Sequence, residues 1–181
     1  MNLWHDVAAE RISPKDFIAV IEISKGSKNK YEMDKATGAL ILDRVLYTST
    51  HYPANYGFIP RTLSDDHDPL DVLVLCSEPV VPMAMIRCYP IGVVSMQDDG
   101  ELDHKIIAIP VTEPLWNNYH NIEELPPHVM EEITHFFNVY KQLEHKDTSI
   151  LEIMDRTSAE VIIKENIQRY QVTYKNRKSD K

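Results

Sequence analysis

Asp66-His67-Asp68-Pro69-Leu70-Asp71-Val72-Leu73-Val74-Leu75 places three aspartates within six residues and then runs on as an apolar strand. Pro69 marks a turn, so the acids gather at the strand's mouth. Like charges packed this closely repel, and a fold keeps them together only where cations or protons compensate. Hard divalent cations held by carboxylate oxygens are the usual compensation, and magnesium is the commonest of them in cells. The stretch therefore outlines a metal site at the end of a β-strand.

Working outward, the first two thirds of the chain are β-rich. Phe17–Ile23, Tyr31–Asp34, Leu40–Tyr47, Asp71–Leu75, Met85–Val94 and Lys105–Val111 read as strands. Turn clusters such as Ser27-Lys28-Asn29 and Asp98-Asp99-Gly100 separate them. After Pro126-Pro127 the period changes, and Val129, Ile133, Phe136, Phe137, Tyr140 and Leu143 recur at helical spacing. A short strand is expected at Ile150–Ile153. Ser158 is expected to cap a closing helix that buries Val161, Ile162, Ile167 and Tyr170. Short strands followed by two helices imply a mainly β fold with α: a small antiparallel barrel or sandwich with helices packed outside. With no repeat, low-complexity tract or long linker, residues 1–181 are expected to form one domain.

The 181 residues, 43% hydrophobic and 26% charged, suffice for one well-buried core. A net charge of −9 argues against nucleic-acid or anionic-membrane partners, which call for basic patches. No apolar run has the length of a membrane span, and Asp6, Glu10 and Arg11 stand where a secretory signal is greasy. Cys76 and Cys88 lie in apolar segments at no metal-ligand spacing. They are expected to be free, buried thiols in a reducing compartment, and the chain is expected to be cytoplasmic.

Strand alternation makes several charges conspicuous. Glu22 shares a face with Ile18 and Val20, while Lys30, Glu32 and Asp34 share one side of their strand. Arg44 falls on the side of Leu40 and Leu42, and Asp103 and Lys105 on that of Ile107 and Ile109. Taken singly, each is an ordinary solvated edge residue. Together they place an acid or base near the end of each apolar row, as a shared polar cavity at one mouth of a barrel would require. That cavity would hold Glu22, Glu32, Asp66, Asp68, Asp71, Asp98 and Asp103 with Lys30, Arg44, Lys105 and Lys141. The acids repel a bare anion and the bases repel a cation. A polyphosphate bound through several Mg2+ ions satisfies both, because metals bridge carboxylates to phosphate oxygens while Arg and Lys take the rest. Paired metals also lower the pKa of a shared water for in-line attack on phosphorus.

With these residues in view, the chain resembles the soluble inorganic pyrophosphatases of family I, the Mg-dependent bacterial type. The resemblance spans about Ile12 to Lys146. Its core is the Asp-x-Asp-Pro-x-Asp-Val motif, here Asp66 to Val72. Val20-Ile21-Glu22-Ile23, Lys30-Tyr31-Glu32-Met33-Asp34, Leu42-Asp43-Arg44 and the stretch Tyr52 to Pro60 also match. So do Asp98-Asp99-Gly100 with Asp103 and Lys105, and His135-Phe136-Phe137 with Tyr140-Lys141.

The resemblance implies a five-stranded OB-like barrel with helices outside and Mg2+-dependent hydrolysis of pyrophosphate to two orthophosphates. It implies that Asp66, Asp71 and Asp103 bind activating metals, with Asp71 bridging a pair of them. Asp98 joins Asp103 at a further metal, and Glu22 and Glu32 act through waters, for three to four ions in all. Asp68 matches the general base, while Lys30, Arg44, Lys105, Tyr140 and Lys141 match positions that grip phosphate. Tyr56 is implied to hydrogen-bond the carboxylate cluster and Tyr52 to help line the cavity. Bacterial members are usually homohexamers. His67 departs from the small or short polar residue usual at its position; it is expected to point into solvent, the alternative being a shift in preference toward Mn2+ or Zn2+. The match loosens around Glu144–Thr148, where Lys146 is a candidate replacement for a phosphate-binding lysine of the family.

Other classes fit less well. An EF-hand loop starting at Asp66 needs Gly sixth and Glu twelfth, where Asp71 and Ser77 stand. An OB-type oligonucleotide module wants a basic groove with stacking aromatics. A DxD glycosyltransferase wants a βαβ nucleotide half that this chain lacks.

Overall fold

A computed structural model describes residues 1–175, and in them eight strands and three α-helices. In chain order these are α1 (Leu3–Asp6), β1 (Phe17–Ile23), β2 (Asn29–Met33), β3 (Leu40–Val45), β4 (Asn55–Ile59), β5 (Leu70–Val74), β6 (Met85–Asp98), β7 (Glu101–Pro110), α2 (Pro127–Val139), β8 (Thr148–Asp155) and α3 (Arg156–Thr173). Five strands close on themselves: β1 pairs β4, β4 pairs β5, β5 pairs β7, β7 pairs β6, and β6 returns to β1. This ring is the expected five-stranded barrel-like sheet; β8 extends it from β6, and β2–β3 stands apart as a hairpin. No helix in the described residues is long and apolar enough to cross a membrane.

The apolar run Val72-Leu73-Val74 of β5 follows from burial on both faces. Leu73 joins Ile107, Ile109 and Val94 under Ile133, Phe136 and Phe137 of α2 and Tyr140 just past its end. Val72 and Val74 face the other way, with Ile106, Ala108, Phe17 and Ile21, toward Ala159 and Ile163 of α3. Pro127 at the first turn of α2 confirms the expected start of that helix.

Several expectations need correction. The barrel is not wholly antiparallel, because β5 and β7 run parallel with Asp71 level with Lys105. The stretch after Tyr52 contains a strand, β4, in the register Gly57↔Ile21 and Gly57↔Val72. Its glycine is required there: a Cβ at Gly57 would sit 1.8 Å from the Val20 carbonyl oxygen. The cap of α3 is Asp155, whose side chain accepts from the Ser158 amide at 2.9 Å. The buried face of α3 is Ala159, Ile163, Asn166 and Tyr170, while Val161 is exposed and Ile162 and Ile167 are only partly buried. Leu143 is likewise exposed, beyond the end of α2. Both cysteines are free, with Cys88 buried and Cys76 half-buried.

Candidate active site

At the mouth of the ring, β5 and β7 set Asp71 beside Asp103 and Lys105. The Lys105 ammonium lies 2.9 Å from Asp71 Oδ2, Asp103 Oδ2 and the Tyr56 hydroxyl. Tyr56, from β4, donates to Asp71 Oδ2 at 2.6 Å. Lys105 is 2% exposed and also packs over the rings of Tyr56 and Phe137. The turn before β5 is drawn tight: the Asp68 amide donates to Asp66 Oδ1 at 2.9 Å and the Ser64 amide to the Asp68 carbonyl at 2.7 Å. His67, at φ 69°, occupies the left-handed corner of this turn with its side chain exposed.

The other walls come from separate elements. The β6–β7 turn, with Asp99 and Gly100 both at positive φ, ends β6 at Asp98. Lys141, just past α2, reaches Asp98 Oδ2 at 2.5 Å, and the Tyr140 hydroxyl lies 3.5 Å from the same atom. From the hairpin, Lys30 pairs with Glu32 and with Asp43 at 3.3 Å, and Lys35 pairs with Asp68. Glu22 accepts the Met33 amide at 2.7 Å, where β1 meets the hairpin.

These residues bound a cavity of about 230 Å³, lined by Glu22, Lys30, Glu32, Lys35, Tyr56, Asp66, Asp68, Asp71, Asp98, Asp103, Lys105, Tyr140 and Lys141, with Tyr31, Met33, Phe58 and Pro69. Burial pushes the Glu22 carboxyl up to about 8, against the Met33 hydrogen bond. Burial, with the Asp71 charge, also raises Asp66. Asp103 is raised by burial although Lys105 opposes the shift. For Lys105 burial acts downward, but Asp103 and Asp71 outweigh it and hold the ammonium well above its ordinary range. Burial and the Asp71 charge together keep the Tyr56 hydroxyl protonated.

Seven carboxyl groups and four lysines make the wall, an excess of three acidic groups. Among the described residues no three of His, Cys, Asp or Glu stand as a ready metal cluster, because lysines lie between the acids. The donor set nevertheless suits a hard divalent cation: the wall offers carboxylate oxygens, no thiol and no imidazole, and its carboxyls, raised by burial and then by one another's charge, gain from a cation beside them.

Twelve of the thirteen residues singled out from the sequence line this one cavity; the exception is Arg44, whose Nε lies 2.7 Å from Glu144 Oε1 and whose Nη1 donates to Asp43 Oδ2 at 2.5 Å. Tyr52 stands behind the wall, buried, with its ring 5.4 Å from that of Tyr56. Asp34 instead stabilises the hairpin turn, accepting from the Ala36 amide and the Thr37 hydroxyl. Sequence reading missed Lys35, which lies in the β2–β3 turn where strand alternation carries no information.

Comparison with known proteins agrees with this geometry. The family model described as inorganic pyrophosphatase matches residues 19–171. The chain is 47% identical over 175 residues to soluble inorganic pyrophosphatase 2 of Chlamydomonas reinhardtii, covering 97% of this chain and 91% of that protein. It is 51% identical over 156 residues to a soluble inorganic pyrophosphatase of Solanum tuberosum, covering 86% and 74% respectively. The crystal structure of inorganic pyrophosphatase from Thermus thermophilus superposes with a TM-score of 0.90 at 36% identity, covering 94% of this chain and 99% of that one. The enzyme from Helicobacter pylori gives 0.85 at 40% identity, with 88% and 95% covered. The chain belongs to the inorganic pyrophosphatase family, whose family I members depend on divalent metals.

Proposed function

We propose that this chain hydrolyses inorganic pyrophosphate to two orthophosphates in a Mg2+-dependent reaction, with Asp68 as general base. The observation that carries the reading is the cavity that gathers these acids and lysines, in a chain whose relatives are named soluble inorganic pyrophosphatases. Asp66, Asp71 and Asp103, joined by Asp98, Glu22 and Glu32, would hold three to four Mg2+ ions, and Mn2+ or Zn2+ are candidate substitutes. Bound there, such ions neutralise phosphate oxygens and lower the pKa of a water.

The chain's own side chains supply the rest. Lys30, Lys105 and Lys141 each carry a cation to the cavity wall, where a phosphate oxygen competes for it with the neighbouring acid. Arg44, on the hairpin beside the cavity, would turn toward a bound phosphate, and the Tyr140 hydroxyl adds a donor beside Asp98. Tyr56, protonated and donating to Asp71 Oδ2, fixes that carboxylate together with Lys105, which holds the same oxygen. Asp68, on the tight turn, takes the proton of the attacking water at a carboxylate oxygen, and the departing orthophosphate is gripped by the cations that held it. Residues 1–181 act as one domain in this reading, the assembly is a homohexamer and the compartment the cytoplasm. The test is product stoichiometry: two equivalents of orthophosphate per pyrophosphate in Mg2+ support the reading, and failure to release any overturns it.

A further inference from the structure

Among the proposed phosphate-gripping side chains, Arg44 is the one that does not line the cavity. Its guanidinium is held largely enclosed between Asp43 and Glu144, the Arg44 and Glu144 side chains being 21% and 9% exposed. The pair is poorly satisfied. Nε meets Glu144 at ion-pair distance without a hydrogen bond, and Arg44 Nη2 and Glu144 Oε2 are buried with no hydrogen-bond partner. An ion pair that leaves buried donors and acceptors unmet does not recover its desolvation cost and is readily exchanged for a better anion.

A better anion has its site next door. Arg44 pairs across the β2–β3 hairpin with Lys30, which does line the cavity. Glu144 lies in the turn Gln142–Glu144, three residues after Lys141, another lining residue. The contact thus ties two rims of the cavity together. A phosphate offers the planar guanidinium fork more charge and paired oxygens.

We propose that Glu144 is a placeholder anion for Arg44, keeping the guanidinium at the cavity edge until a phosphate oxygen displaces the carboxylate and recapturing it as orthophosphate leaves. The inference rests on the reading that Arg44 grips phosphate. Glu144 then lowers apparent phosphate affinity by the fraction of time Arg44 is held away.

The test uses the full chain loaded with Mg2+, titrated calorimetrically with inorganic phosphate and assayed with pyrophosphate. Glu144→Gln, isosteric and uncharged, lowers both the phosphate Kd and the KM by roughly three- to tenfold. Glu144→Asp, which keeps the charge on a shorter stem, falls between Glu144→Gln and the parent. In an Arg44→Gln background, Glu144→Gln changes neither constant. Unchanged constants in Glu144→Gln with a lowered melting temperature make the contact purely structural and overturn the proposal. Raised constants overturn it too, by making Glu144 an aligner of Arg44. If Arg44→Gln alone leaves the phosphate Kd and the KM unchanged, the gripping role of Arg44 has failed at its own step, apart from any effect of Glu144.

Discussion

Lys105 stays charged in a wall where it is 2% exposed because two carboxylates and a phenol meet its ammonium at 2.9 Å. A buried ion kept this way implies partners that matter for position, since removing one leaves an uncompensated charge. Asp68 is different: its side chain is open to the cavity mouth and pairs with Lys35 rather than with a buried partner. Asp68→Asn is therefore expected to leave folding and Mg2+ binding largely intact while turnover falls roughly 10²–10⁴-fold, the range for loss of a general base. Steady-state rates beside a calorimetric Mg2+ titration check this, and a matched loss of metal binding would make Asp68 a ligand instead. His67, two atoms of chain away from the same acids, sits at φ 69°. The strain explains why a small residue suits the position, and His67→Gly is expected to raise stability by about 0.5–1 kcal/mol in denaturant melts. The three aspartates were legible because a turn and a strand mouth bring them together by sequence alone. Lys35 and the enclosed state of Arg44 were not, since both depend on where a hairpin folds over the ring.

At the scale of elements, the ring is held by features that no local pattern announces. β4 was hidden because Pro53, Gly57 and Pro60 read as turn residues, yet Gly57 is what lets β4 approach β1. Gly57→Ala, forcing a Cβ onto a backbone oxygen, is expected to cost roughly 2–4 kcal/mol or prevent folding; a native melting curve would contradict this. The parallel β5–β7 pairing was equally hidden, because β6 intervenes in the chain. Past β7, Glu113 secures that pairing by accepting from the Ser77 amide at 3.0 Å, the Cys76 thiol at 3.0 Å and the Leu115 amide at 3.0 Å. Burial acts to raise its pKa, but these donors outweigh it and bring the carboxyl down from 4.5 to about 2. A depressed folded-state pKa means the unfolded chain binds protons first. The network's contribution is thus complete above about pH 4.5 and lost as pH falls toward 2. Melting temperature measured across that window should fall less steeply in Glu113→Gln than in the parent.

The whole molecule carries a net charge of −9, and its cavity wall holds three more carboxyl groups than lysines. Ions bound there stabilise the native state by mass action, about 2.7 kcal/mol at a hundredfold excess over Kd. Mg2+ is accordingly expected to raise the melting temperature, and Asp71→Asn to abolish most of that rise in a thermal-shift titration. Fold class, the strand-then-helix order and the acidic mouth all followed from periodicity and charge, and the five-stranded ring from the family resemblance; the parallel β5–β7 pairing and the pairing of cations with acids followed only from the three-dimensional register. The most direct test is the initial rate of orthophosphate release from pyrophosphate as Mg2+ is titrated from chelator-stripped protein. No release in chelator, a saturable rise with Mg2+, and a curve displaced to much higher Mg2+ in Asp71→Asn are the expected results. Release that persists in chelator, or that responds to Mg2+ identically in Asp71→Asn, would contradict the Mg2+-dependent reading.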